Sequence, residues 1–316
     1  MLHEHHFRAM NTDVGAWVWS AEAPAAQRVL AETERFFREA HARFTRFDAA
    51  SELSALNAAR GAPFAASPQL FEVVRLAARY FDATGGLFNP SIIGALEAAG
   101  YDRTFETIGQ GEPAPVQASP IGSLAAIAFD EERRIITLPI GLRLDLGGIA
   151  KGWAVQRAAE RLAETGPCLV DAGGDMQTFG VLPGSTAWPI EVVNPFDHDQ
   201  GALGLRLRDR AVATSGIDRR RWRRDGVWQH HLIDPRTGRP STSDLLTATV
   251  IAPRTVAAEV GAKTVCLLGA EAGLAYLNER PALAGCVITT DGQLYLSERL
   301  QEFVDVTFIY ADHPVA

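Results

Sequence analysis

The chain of 316 residues is poor in the features that mark several functional classes. It has three cysteines, Cys168, Cys266 and Cys286, far apart and each among apolar neighbours, without metal-ligand spacing. An odd count of this kind argues against a disulfide scaffold and reads as buried free thiols in a reducing compartment. No apolar run is long enough for a bilayer span, and the start His3-Glu4-His5-His6 lacks the apolar region of a signal peptide. The expected location is therefore cytoplasmic. The His-rich start reads as a plain polar terminus, with metal binding as the alternative. Positive charge is in deficit: 30 Lys and Arg against 38 Asp and Glu give a net charge of −8, which argues against nucleic-acid binding. Neither G-x-G-x-x-G nor a P-loop is present, so no standard nucleotide fingerprint applies. There is no internal repeat, no low-complexity tract and no convincing linker, so residues 1–316 read as a single domain.

What is present is ordinary globular composition, 47% apolar and 22% charged. The chain is organised around Arg143 to Ala163, which begins as a short apolar strand, turns on Gly147-Gly148 and runs into helical sequence. A tight turn before a helix leaves backbone N–H groups at the positive end of the helix dipole, which suits a pyrophosphate. Lys151 adds a charge there, and Asp145 stands just ahead. An ordinary strand–helix junction is the alternative reading of the same residues.

Phe7 to Trp19 alternates as one strand containing Met10-Asn11-Thr12, and helical spacing runs from Ala25 to Phe44. Ser51 can cap a short helix, and Ser67 opens a second one that ends at Thr84-Gly85-Gly86. Leu87 to Ser91 presents an aromatic, an amide and a hydroxyl, as a ligand loop or as a plain helix–helix turn. Gly109 to Pro120 reads as a surface loop and is the best candidate for a subdomain boundary near 109–120. Strands are expected at Ala125–Phe129, Ile135–Leu138, Cys168 onward into the Gly173-Gly174 turn, Trp188–Val193, Gly204–Leu207, Ala211–Gly216, Leu246–Ala252, Cys286–Thr289, Leu294–Leu296 and Val306–Ile309. A helix is expected over Ala257–Gly269. The basic run Arg219-Arg220-Arg221-Trp222-Arg223-Arg224 reads as a solvated loop, with steering of a polyanionic ligand as the alternative. Many short strands with few long helices predict an α+β protein.

Taken in order, the motifs resemble the bacterial ApbE family, flavin transferases that move FMN from FAD onto a protein threonine. They are Met10-Asn11-Thr12, Phe47-Asp48 with Ser51 to Asn57, Gly85 to Ser91, Asp145 to Gly152, Asp171 to Asp175, Ala213 to Gly216 and His231 to Gly238. The resemblance implies a T-fold-like architecture, mixed or antiparallel sheets with helices, and FAD in a cleft between two lobes. It implies FAD contacts from Met10, Phe47, Phe88, Asn89, Pro90, Asp145, Gly147, Gly148, Lys151, Gly173, Gly174, Thr214, Ser215 and Ile233. It also implies catalytic roles for His231 and Asp175, His231 serving as base to an acceptor hydroxyl. On its own, a histidine at a strand end is as readily structural.

The partners implied are FAD and an acceptor protein carrying a threonine, with no nucleic acid and no membrane span. A metal, Mg²⁺, is implied at Ala150 and Glu259. Two departures stand out. Asn89 replaces the Asp of many members, and Glu259 and Lys263 stand where the family usually has an Asp and a Thr as metal ligands. Glu can still bind a hard cation, whereas protonated Lys cannot. Lys263 then either carries part of the metal's charge or pairs with Glu259 at i, i+4 spacing. The expectation is Mg²⁺ dependence retained but weakened. Hydrolysis of FAD to FMN and AMP, and FAD binding without catalysis, are the alternative functions.

Overall fold

Eight strands form an antiparallel sheet in which spatial order equals chain order: Leu2–Ala9, Thr12–Trp19, Cys168–Ala172, Asp175–Phe179, Ala211–Gly216, Leu245–Ala252, Ala284–Thr289 and Leu294–Leu296. The structure is a computed structural model and describes residues 1–108, 121–224 and 226–305. The expected loop at 109–120 and the expected closing strand at 306–309 lie outside the described residues. The helices among those described are α1 (Ala23–Phe44), α2 (Glu52–Ala58), α3 (Pro68–Ala83), α4 (Ile93–Ala98), α5 (Ala150–Ala163), α6 (Thr255–Leu268) and α7 (Ala270–Asn278). The chain divides into two compact units. The first comprises Met1–Ala40, Lys151–Asp218 and the chain from Ser243 onward; the second comprises His41–Ala150 and Arg219–Thr242.

The first unit is built on the eight-stranded sheet. The two-residue period of its strands sends Val212, Ile251, Cys286 and Ile288 to one face, against the ribbon Trp188–Asn194 and Asp197–Leu207 with its buried Trp188, Leu205 and Leu207. The opposite face carries α6. Gly261 of that helix lies so close that an added Cβ would come within 3.2 Å of Val250 Cγ1. Helix α6 is buried on nearly every side, Glu259 included. Helix α1 docks through Phe37, whose ring centroid is 5.6 Å from that of Phe7, and Phe36, 5.5 Å from Trp153 of α5. Full burial of a side chain such as Phe37 stabilises the unit by roughly 1.5–3 kcal/mol. All three cysteines are buried and unpaired here, and burial pushes each thiol up to about 12.

One expectation fails in this unit for a local reason. Phe7 to Trp19 is not one strand but a hairpin, paired Ala9 to Thr12 across Met10-Asn11. Both turn residues have positive φ, 52° and 58°. That is the two-residue turn matching strand twist, and Asn is suited to it. The alternation of the sequence runs straight through the reversal and so conceals it.

The second unit holds α2, α3 and α4. Ser51 and Ser67 cap α2 and α3 as expected, accepting from Ser54 N at 3.0 Å and Leu70 N at 3.2 Å. Each such cap is worth ~1 kcal/mol. A small sheet pairs Phe64–Ala65, Ile135–Thr137 and Ala128–Asp130. The strand expected from Ala125 starts later, because Leu124–Ala126 is a 3-10 turn. The strand expected at Arg143-Leu144 does not form. Asn57 instead holds both main-chain groups of Leu144, its Nδ2 donating to Leu144 O at 2.9 Å and its Oδ1 accepting from Leu144 N at 2.8 Å. A side chain thus does the work of a neighbouring strand.

The basic run is not a solvated loop either. Arg221–Arg224 is a strand paired with Val227–His230, and Trp222 turns inward against Leu96, Ala99 and Ile233. Its indole Nε1 donates to Ala99 O at 2.8 Å. One buried aromatic inside the arginine run fixes the strand, while Arg221 and Arg223 stay exposed.

Candidate functional site

In the first unit the tight turn Gly173-Gly174 closes the hairpin Cys168–Ala172 and Asp175–Phe179. Its φ values are 60° and 88°, and an added Cβ on Gly173 would lie 2.2 Å from Thr12 Oγ1. Only glycine fits there, and that closeness sets the Met10-Asn11 turn beside it; Gly173 N donates to Asp13 O at 3.2 Å. Asp171 holds the turn by accepting from Gly174 N at 2.8 Å. Met10, Gly173 and Gly174 are therefore brought together. A non-glycine residue at positive φ carries a strain of order 1 kcal/mol, and Met10 bears it at this junction.

Asp175 follows the turn and is 1% exposed. Lys151, in the first turn of α5, places its Nζ 2.7 Å from Asp175 Oδ2 and donates to Ala172 O at 2.8 Å. Burial pushes the Asp175 carboxyl up to about 6; Glu259 pushes the same way, and the Lys151 and Lys263 ammoniums pull against both. Glu259, 1% exposed, accepts from Gly152 N at 2.9 Å through Oε2 and from Lys263 Nζ at 3.0 Å through Oε1. Two buried carboxylates and two ammoniums thus meet at the start of α5. Thr214 and Ser215 lie on the strand Ala211–Gly216. Thr214 is exposed and its hydroxyl shares a hydrogen bond with Thr249 Oγ1 at 2.8 Å, while Ser215 O accepts from Cys266 Sγ of α6.

In the second unit Asp145 is the hub. Its Oδ2 takes Arg46 Nε at 2.6 Å, its Oδ1 takes Gly147 N at 2.6 Å, and its own N–H donates to Pro90 O at 2.8 Å. The Arg46 guanidinium lies over the Phe47 ring at 4.2 Å and donates to Tyr101 O at 2.6 Å. Phe47, Pro90, Asp145 and Gly147 are therefore one assembly. Arg46, which organises them, was missed from the sequence; its place directly before Phe47 was the available signal. Gly148 is half-buried, and Ala150 is buried at the first position of α5.

Most of the other expected contacts in this unit are buried. Phe88 is 5% exposed in the core. Asn89 Oδ1 accepts from Ser91 N and Oγ at 3.0 and 2.8 Å, and its Nδ2 donates to Gly122 O at 3.1 Å. Ile233 packs against Trp222, and its N–H donates to His231 O at 3.1 Å. His231 stands half-buried between Val227–His230 and Ile233–Asp234. A cavity of about 420 Å³ in this unit is lined by the Gly85-Gly86 turn, Leu87, Asn89, Gly122, Pro235 and Arg236 among others.

Residues 10–287 match the ApbE family. This chain belongs to it. An FAD:protein FMN transferase of Treponema pallidum is 29% identical over 275 residues, 81% of this chain and 75% of that one. One from Vibrio cholerae is 28% identical over 283 residues, 86% of this chain and 84% of its own. The crystal structure of an ApbE protein from Thermotoga maritima aligns with a TM-score of 0.86 at 23% identity, covering 96% of this chain and all of that one. At that identity the likeness speaks for the fold, which is α+β with antiparallel sheets as the sequence predicted.

The ApbE resemblance brings a divalent cation with it, and the residues at Glu259 do not fit one. A hard cation takes six or more oxygen ligands, and Mg²⁺ demands a near-octahedral shell. Here one carboxylate oxygen is bonded to an ammonium and the other to a backbone N–H. No group of three His, Cys, Asp or Glu side chains able to hold a metal occurs among the described residues. Nor does any described helix have the length and apolarity to cross a membrane.

Proposed function

We propose that this ApbE protein is an FAD:protein FMN transferase. The observation that carries the proposal is the Lys151 ammonium, held at the first turn of α5 by Asp175 beside the Gly173-Gly174 turn. Family membership and relatives of that activity support the reading. In the reaction an acceptor threonine oxygen attacks the FMN phosphorus of FAD. The new O–P bond forms as the pyrophosphate P–O bond breaks, AMP leaves, and the hydroxyl proton passes to a base. Phosphoryl-type transfer of this kind depends mostly on positioning and on neutralising charge.

In this reading the residues divide the work as follows. Lys151 supplies fixed positive charge to the phosphates. Asp175 acts through Lys151, holding that ammonium in place. Gly173, Gly174, Gly147 and Gly148 offer backbone without side-chain bulk, and Met10, Thr214 and Ser215 flank the phosphate region. Phe47, Pro90 and Asp145 form the surface assembled by Arg46, with Phe88 and Asn89 shaping the loop behind Pro90. Ile233 contributes through its backbone. His231 is the base that takes the threonine proton. No step is routed through Mg²⁺ at Ala150 and Glu259. The unpaired cysteines favour a reducing compartment, and we place the enzyme in the cytoplasm.

The test is chromatographic. FAD is incubated with the protein, with and without a threonine-bearing acceptor peptide. AMP release that depends on the peptide, with flavin bound covalently to it, supports transfer. AMP release to the same extent without peptide would replace transfer by hydrolysis, and absence of any FAD turnover would leave a binding protein.

A further inference from the structure

The ApbE resemblance assigns a positive charge beside Glu259 to a bound metal. We infer that this protein carries out its reaction without a divalent cation, the Lys263 ammonium being the resident cation beside Glu259. The inference rests on the transferase reading and names how that same site handles charge.

Three observations carry it. First, both oxygens of Glu259 are already engaged: Oε1 accepts from Lys263 Nζ at 3.0 Å, and Oε2 accepts from Gly152 N at 2.9 Å. Second, the Oε2 side of Glu259 is closed off by Gly152 in the first turn of α5. A Cβ on Gly152 would lie 2.6 Å from Oε2 and 3.2 Å from Thr255 O, so the helix start and the carboxylate are in direct contact. Third, charge is already balanced. Asp175 and Glu259 carry two negative charges, Lys151 and Lys263 two positive ones, and the four side chains are between 2% and 18% exposed. A divalent ion at Glu259 would stand beside the Lys263 ammonium and be repelled by it.

The pair is also self-sufficient. Glu259 precedes Lys263 by one helical turn, the favourable order for an i, i+4 pair, so no metal is needed to keep the carboxylate satisfied. An ammonium has three donors, and Glu259 takes one of them. Lys263 is the more accessible partner, its side chain 18% exposed against 2% for Glu259, and can approach phosphate oxygens. It screens the charge on the phosphoryl oxygens while the threonine–phosphorus bond forms and the bond to AMP breaks, and the threonine proton leaves to the base.

The experiment uses the full chain stripped with EDTA. FAD affinity is followed by flavin fluorescence in excess EDTA and in excess Mg²⁺, and bound Mn²⁺ is counted by electron paramagnetic resonance with and without FAD. The inference expects unchanged FAD affinity and no bound Mn²⁺ in the FAD-loaded protein. Lys263→Met should weaken FAD binding about tenfold or more, the scale of one hydrogen bond to a charged group, with no recovery in Mg²⁺. Lys263→Thr should bind FAD in a manner that now depends on Mg²⁺.

One Mn²⁺ per FAD-loaded chain, together with FAD affinity that collapses in EDTA, would overturn the inference while leaving the transferase reading intact. Failure to bind FAD under any condition would overturn both. The Mn²⁺ count on the unsubstituted protein decides the matter even where a Lys263 variant fails to fold.

Discussion

Removing the Lys151 ammonium should harm the fold more than removing its whole ion pair. At 2.7 Å from Asp175 the gross attraction is about 6 kcal/mol at an effective dielectric of about 20. Desolvation of two buried groups cancels much of that in the intact protein, but Lys151→Met leaves the desolvation of Asp175 uncompensated beside Glu259. Breaking one side of such a pair is expected to cost about 3–5 kcal/mol, whereas Lys151→Met with Asp175→Asn should stay within ~1 kcal/mol of the parent. The assay is urea unfolding of the parent, both single variants and the double variant at mildly alkaline pH. Independent losses that add to within about 0.5 kcal/mol would refute the coupling.

The pH dependence has a definite sign. The folded-state pKa of Asp175 is raised to about 6 from 3.8, chiefly by burial and then by Glu259. Its contribution to stability is therefore full below 3.8 and is lost as pH rises through about 6. Lys151→Met should lose the least stability at low pH.

Two further outcomes follow from the second unit. His231→Ala should keep FAD affinity but lose a factor of ~10²–10⁴ in transfer rate, read as single-turnover AMP release with acceptor peptide. A rate near that of the parent would make His231 structural. His230 is held below its usual 6.5 by burial, against the pull of its hydrogen bond to Ser241 O. Its stability contribution is present above 6.5 and lost as pH falls below it. The melting temperature should therefore drop on mild acidification, and His230→Gln should flatten that drop in a scanning calorimeter.

What was legible in the sequence was whatever depends on near neighbours. Ser51 and Ser67 announced the starts of α2 and α3, and the apolar runs located the strands at Ala211, Leu245 and Ala284, because caps and periodicity act within one turn or one strand. Long-range pairing was not legible. Nothing local says that Asn57 substitutes for a strand at Leu144, that Asp175 claims the Lys151 ammonium, or that Arg46 gathers Phe47 and Asp145. Trp222 could have revealed the strand in the arginine run, since a lone aromatic among like charges needs a place to be buried. Glu259 and Lys263 were legible as a pair from their spacing. That both oxygens of the carboxylate would be hydrogen-bonded was not, because the second donor, Gly152, is 107 residues away.

The central claim, FMN transfer to a protein hydroxyl, is tested most directly by intact-protein and peptide mass spectrometry of candidate acceptors co-expressed with this chain. The account predicts a gain of one FMN group on a single threonine of the acceptor, lost when His231→Ala replaces the parent enzyme. Acceptors that stay unmodified while FAD is converted to free FMN and AMP would contradict it.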